Sequence, residues 1–145
     1  MSQPDRVDPR ALRFNAALTS VVLAAALLAP EPVALTLLTA QALVFALSAF
    51  VDLRLSPYSL LFRALVARRL DAPAELEDSR PPRFAQVVGL VFAVAGLVGL
   101  LAGVGALFYV ATAFALVAAL LNATVGLCLG CEMYLLVRRL QPARS

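Results

Sequence analysis

Residues 84–102 read Phe-Ala-Gln-Val-Val-Gly-Leu-Val-Phe-Ala-Val-Ala-Gly-Leu-Val-Gly-Leu-Leu-Ala, nineteen positions without a charge. About 20 such residues, each rising about 1.5 Å in a helix, cross a hydrocarbon core roughly 30 Å thick. A helix satisfies its backbone polar groups within one segment at that depth, so the stretch predicts a membrane-spanning α-helix. Three further apolar runs match it: Leu12 to Ala29, Val33 to Val51, and Leu107 to about Leu127, the last continuing as helix toward Arg139. Pro30-Glu31-Pro32 separates the first pair and Gly103-Val104-Gly105 the second. Both connections are too short for anything but tight turns between antiparallel neighbours. The expectation is an all-α polytopic membrane protein: four transmembrane helices arranged as two antiparallel hairpins.

Composition agrees. Hydrophobic residues make up 62% of the 145-residue chain, and mean hydropathy is +0.90, against roughly 45–50% apolar content in soluble domains. Four spans occupy most of residues 1–145 and leave a single transmembrane domain with no room for a separate soluble one. In the third span Ala95, Gly99 and Gly103 recur every fourth residue, a smooth stripe suited to close helix approach.

The twelve basic residues are all Arg. Three lie before or at the very start of the first span (Arg6, Arg10, Arg13), six lie between spans two and three (Arg54, Arg63, Arg68, Arg69, Arg80, Arg83), and three follow the fourth (Arg138, Arg139, Arg144). The short turns carry none. By the positive-inside rule both termini and the loop 52–83 face the cytoplasm, as expected of a multi-pass plasma-membrane protein. The net charge of +3 comes from this same Arg set and is not a nucleic-acid footprint. A cleaved signal peptide ending near Ala24-Ala25-Ala26 is the competing reading of the first run. Asp5 and Asp8 in its leader, and the inverted loop charges that cleavage would leave, count against it.

Within the long loop, Ser56-Pro57 reads as the N-cap and first residue of a short interfacial helix running to about Leu70. Its apolar Leu61, Phe62 and Leu65 cluster on one side, while Arg63, Arg68 and Arg69 project in different directions. These arginines suit either lipid headgroups or a docked cytosolic partner. Asp71 to Arg83, with four acids and three Pro, suits an exposed tether.

Chemistry concentrates at Cys128-Leu129-Gly130-Cys131-Glu132. The chain has no His, and its seven Gly form no phosphate-binding loop, which removes catalytic triads, His-ligated metals and nucleotide-loop chemistry. On a continuous helix Thr124, Cys128, Cys131 and Glu132 share one face. Asn15, Asp52, Arg54 and Asn122 lie near the same bilayer level and are expected to complete a polar cluster, in which interhelical hydrogen bonding and a rim ion pair with Glu132 are the plain structural roles. A helical i, i+3 pair places Cα atoms about 5–6 Å apart, within disulfide reach. Against ready reactivity, burial and the Glu132 charge disfavour a thiolate, whereas redox cysteines commonly sit at helix N-termini. A reducing cytoplasm argues against a permanent disulfide. Two thiolates make a poor zinc site unless a dimer supplies four, so no metal is expected.

The segments Ser56-Pro57 with Ala67-Arg68-Arg69-Leu70, Pro81-Pro82-Arg83-Phe84-Ala85-Gln86-Val87-Val88-Gly89, and Gly126-Leu127-Cys128-Leu129-Gly130-Cys131 resemble an actinobacterial family of small four-span membrane proteins of unknown function. The likeness covers nearly the whole chain, and the Cys-x-Gly-Cys ending is its most specific motif. Val7-Asp8-Pro9-Arg10 departs from the longer Asn-Glu-containing leader of other members. The resemblance implies association with thioredoxin-like or rhodanese-like sulfurtransferase proteins, hence thiol or sulfur traffic, without naming a reaction.

Three function classes follow. In the first, a membrane thiol-redox or sulfur-relay protein uses Cys128 and Cys131 near the cytoplasmic surface, with Cys131 exchanging with a partner, Cys128 resolving, and Glu132 beside them. In the second, a non-enzymatic anchor docks a cytosolic thioredoxin-like or sulfurtransferase partner through Arg63, Arg68 and Arg69. In the third, a small transporter subunit binds an anion in the polar cluster, although the outer halves of the spans offer little more than Thr19, Ser20, Thr36, Thr39, Gln41 and Thr112. No cofactor is required. A quinone would need a lateral opening beside Cys128, and a homodimer is compatible with all three.

Overall fold

In a computed structural model, residues 6–72 and 75–141 are described; Asp5 and Arg144, both part of the charge pattern, lie outside them. The main helices are α1 (Pro9–Leu28), α2 (Glu31–Phe50), α3 (Pro57–Leu65), α4 (Arg80–Ala102), α5 (Gly105–Val125) and α6 (Leu129–Leu140). Four of them, α1, α2, α4 and α5, are long and apolar enough to cross a membrane. The architecture is thus all-α and polytopic, with one addition: β1 (Arg6–Val7) pairs antiparallel with β2 (Glu77–Asp78), Arg6 opposite Asp78.

The spans α1 and α4 begin earlier than the hydrophobic runs suggest, each started by an aspartate that lies before the apolar core. One device recurs three times. Asp8 Oδ1 accepts the Arg10 N–H, Asp52 Oδ1 the Arg54 N–H and Asp78 Oδ1 the Arg80 N–H, each at 2.9 Å. Each guanidinium then folds back onto the same carboxylate, with closest contacts of 2.9, 3.0 and 2.7 Å. Every one of these Asp-x-Arg units starts a helical turn: α1, the 3-10 turn Leu53–Leu55, and α4. The segment foreseen as a tether is therefore shortened, its last residues belonging to β2 and α4.

α1 packs on α2 and α5, and α4 packs on the same two helices, which closes a four-helix ring. Its core comprises Leu23, Ala34, Leu38, Ala42, Phe45, Ala93, Phe108 and Ala115. Glycine governs how closely α4 approaches, on a face rotated from the foreseen one. A Cβ at Gly89 would lie 2.8 Å from the Phe45 ring, one at Gly96 2.9 Å from Leu38 and Thr112, and one at Gly99 2.5 Å from the Phe108 nitrogen. Gly103 does not pack. It adopts φ 73° and ends α4, and the Val104 N–H closes the turn onto the Gly99 carbonyl at 2.8 Å.

The ends of the bundle that carry the termini are tied by side chains reaching helix C-terminal carbonyls. Arg83 donates to the Ala49 carbonyl at 2.9 and 3.1 Å. α3 lies against α1, capped by Ser56, whose hydroxyl accepts the Ser59 N–H at 3.1 Å. Of the apolar trio on this helix only Phe62 turns inward, against Phe14 with ring centroids 5.6 Å apart, while Leu61 and Leu65 are exposed.

Candidate functional site

α5 does not continue into the cysteine motif. Gly126 takes φ 74°, a left-handed conformation that glycine adopts without a Cβ penalty, and α5 stops at Val125. The Gly126 and Leu127 N–H groups turn back to the Asn122 and Leu121 carbonyls, each at 3.2 Å. Arg13 of α1 donates to the Ala123 and Thr124 carbonyls at 3.2 and 2.9 Å, satisfying acceptors that an uninterrupted helix would have used. The chain then restarts as α6, with Cys128 at the N-cap.

This break overturns the expectation that Thr124, Cys128, Cys131 and Glu132 share one helical face. Thr124 is exposed at the end of α5, its hydroxyl bonded back to Leu120 at 2.6 Å. The cysteines instead occupy the first turn of a new helix. Cys128 Sγ accepts the Cys131 N–H at 3.1 Å, and the two sulfurs are joined, with Cα atoms 5.2 Å apart. A helix N-terminus presents unpaired N–H groups and the positive end of the helix dipole, surroundings that stabilise a thiolate. The helix N-terminus that a continuous helix would have denied the pair is thus present, while the Glu132 carboxylate stays in the same first turn.

α6 folds back against α4. Gly130 makes this approach possible, since a Cβ there would lie 2.5 Å from both Cα and Cβ of Ala85. One turn later Tyr134 meets Phe84, ring centroids 5.8 Å apart. Glu132 is exposed in the first turn of α6 and forms no ion pair with a described residue; it sits where the dipole favours a carboxylate. Asp52 and Arg54 pair with each other beyond α2, and neither makes the rim pair foreseen for Glu132. Arg63 donates to the Arg54 carbonyl at 2.8 Å, and Arg68 and Arg69 are exposed on the following 3-10 turn.

Of the expected polar cluster, Asn15 and Asn122 do meet the cysteines, around a cavity of about 370 Å³. It lies between α1, α4 and α5, with the Cys128–Cys131 turn forming one wall and Phe45 of α2 another. Room exists because Ala115, Ala118 and Ala119 of α5 present small side chains to it. Asn15 Nδ2 donates to Ser59 Oγ at 3.0 Å, and Ser59 Oγ in turn donates to the Leu53 carbonyl at 2.9 Å. The buried Asn15 Oδ1 has no partner among the described residues.

Sequence reasoning did not single out Arg13, Gln86 or Gly126 as site residues, although all three line this cavity. The available signal was a lone Arg inside the first apolar run and a Gly close before the motif. It also missed a polar chain on α1, α2 and α3, in which Tyr58 donates to Gln41 Oε1 at 2.6 Å and Gln41 Nε2 to Thr19 Oγ1 at 3.4 Å.

Comparison with curated proteins and with solved structures returns no match. A family model described as "Domain of unknown function (DUF4395)" matches residues 7–139, which takes in the four spans, the Arg-rich loop and the cysteine turn. The chain belongs to that family.

Proposed function

We propose that the protein is a membrane thiol-redox or sulfur-relay protein in which Cys128 and Cys131 cycle between dithiol and disulfide, or carry a persulfide, at the cytoplasmic end of the bundle. The observation that carries this reading is the position of the pair on the first turn of α6, with Cys128 Sγ accepting the Cys131 N–H. In exchange, a partner thiolate attacks one sulfur of the disulfide, the other leaves as thiolate, and a second partner thiol resolves the mixed disulfide. Cys128, at the N-cap, is the exchanging residue and Cys131 the resolving one, the reverse of the order a continuous helix implied. Thioredoxin-like or rhodanese-like proteins are partners of suitable chemistry, and exposed Arg68 and Arg69 offer them a docking surface. Cytoplasmic sidedness rests on the Arg distribution.

The test is the thiol state in living cells. Cultures are acid-quenched, free thiols tagged with a mass-shifting alkylator, and wild type run beside Cys128→Ser and Cys131→Ser. The wild type is expected to be partly oxidised and Cys131→Ser to trap a partner in a mixed disulfide. Fully reduced cysteines that trap nothing and can both be replaced without consequence would sink the proposal, and reversal of charge at Arg63, Arg68 and Arg69 would then test the anchor.

A further inference from the structure

A dithiol that is to be oxidised needs a two-electron acceptor, and the cavity beside the pair has the chemistry of one. We propose that this cavity binds a lipophilic quinone, which takes the electrons of the Cys128–Cys131 dithiol. The inference rests on the thiol-redox reading and names its acceptor.

Placement comes first. The cavity is walled mainly by spanning helices α1, α4 and α5, and most of its lining, residues such as Leu12, Val88 and Phe92, is apolar, which suits a lipophilic ligand; Arg13 and Glu77 are its charged lining residues. Its rim includes Phe114 and Met133, which line it and are also 61% and 47% exposed. The volume of about 370 Å³ falls within the range of about 300–1,000 Å³ of small-molecule sites.

Shape and polarity agree. Phe92 and Phe114 both line the cavity and stack at 6.1 Å with an interplanar angle of 26°, aromatic surface against which a planar ring can pack. Toward the cysteines the lining turns polar. The Arg13 guanidinium and the Asn122 amide carry N–H donors that suit quinone carbonyls.

The reaction balances. Two S–H bonds break and one S–S bond forms, while two electrons and two protons pass to the quinone, whose two carbonyls become hydroxyls. Exchange with a substrate dithiol then restores the Cys128 and Cys131 thiols.

The experiment uses the full chain in lipid nanodiscs, reduced, desalted and kept anaerobic. Decyl-ubiquinone is added, quinol formation followed by absorbance, and disulfide formation by mass-shift alkylation. Wild type is expected to form one quinol per disulfide. Ala119→Phe and Ala118→Leu, which fill the cavity, are expected to slow this at least tenfold, and diamide, a soluble oxidant needing no binding site, reports that the thiols are intact in each variant. Wild-type rates in both variants overturn the assignment of the cavity. Absence of quinol in the wild type while diamide closes the pair overturns the quinone and leaves the thiol reading standing. The thiol reading fails separately, if the cysteines prove fully reduced and dispensable in cells.

Discussion

Gly126 and Gly130, four residues apart, act by different physics. Gly126 meets nothing within 4 Å, so its role is conformational, set by φ +74°. Gly130 is steric, held against the Ala85 backbone. Gly126→Ala is expected to cost about 1–2 kcal/mol through the left-handed backbone, with Gly126→Asn recovering part of that because Asn tolerates the conformation. Gly130→Ala is expected to cost about 1–3 kcal/mol through overpacking, and Asn at 130 to be worse than Ala. Thermal unfolding in detergent ranks the four variants, and equal behaviour of Asn at the two positions would contradict the distinction. Mass-shift alkylation of the same samples reports whether displacement of α6 separates the thiols.

At the scale of elements, the three Asp-x-Arg units set where helices start. Hydrogen bonding from the Arg10, Arg54 and Arg80 side chains holds the Asp8, Asp52 and Asp78 carboxyls below the ordinary value of 3.8, against opposition from burial. A carboxyl lowered in the folded state contributes stability that is fully present above its unfolded value and lost as pH falls through the folded one. Stability is therefore expected to be flat from neutral pH down to about pH 5 and to decline below 3.8. Replacing all three Asp by Asn should flatten the acid limb, as measured by melts across pH 5 to 2.5 in a non-ionic detergent. An unchanged acid limb in the triple variant would assign that decline to other groups.

For the whole molecule, most polar residues of the spans are spent on hydrogen bonds within or between helices; the buried Thr112 hydroxyl has no partner among the described residues. Thr36 and Thr39 bond to carbonyls one turn back on α2, and Gln41 joins α1 to α3 through Thr19 and Tyr58. The transporter reading had taken these as sparse lining for a path across the bilayer; five of the six instead secure helix contacts or their own helix, Ser20 by bonding to the Ala16 carbonyl. Gln41→Leu removes both interhelical bonds and strands the Tyr58 hydroxyl, with an expected loss of about 1 kcal/mol. Tyr58→Phe with Gln41→Leu should lose less than the two single variants summed, which a double-mutant cycle on unfolding in detergent checks.

Membrane character, four spans, the Ser56-Pro57 helix start and a cysteine pair within disulfide reach were all legible in the chain, because each depends on local composition, run length or a spacing of three residues. The inward face of α4 was misread by a rotation, since small residues at 95, 99 and 103 and at 89, 96 and 99 form competing stripes that only the position of Phe45 and Phe108 separates. The break at Gly126 lies in an apolar run without charge or proline, and the carbonyls it frees are taken up by Arg13, more than a hundred residues away. The cavity has no sequence signature of its own: it is volume left where alanines on one helix face residues contributed by others. Sequence alone determined what crosses the membrane, because hydrophobicity and length act segment by segment; tertiary structure alone placed the thiols at a helix start beside a chamber, because backbone reversal and empty space are properties of packed helices together.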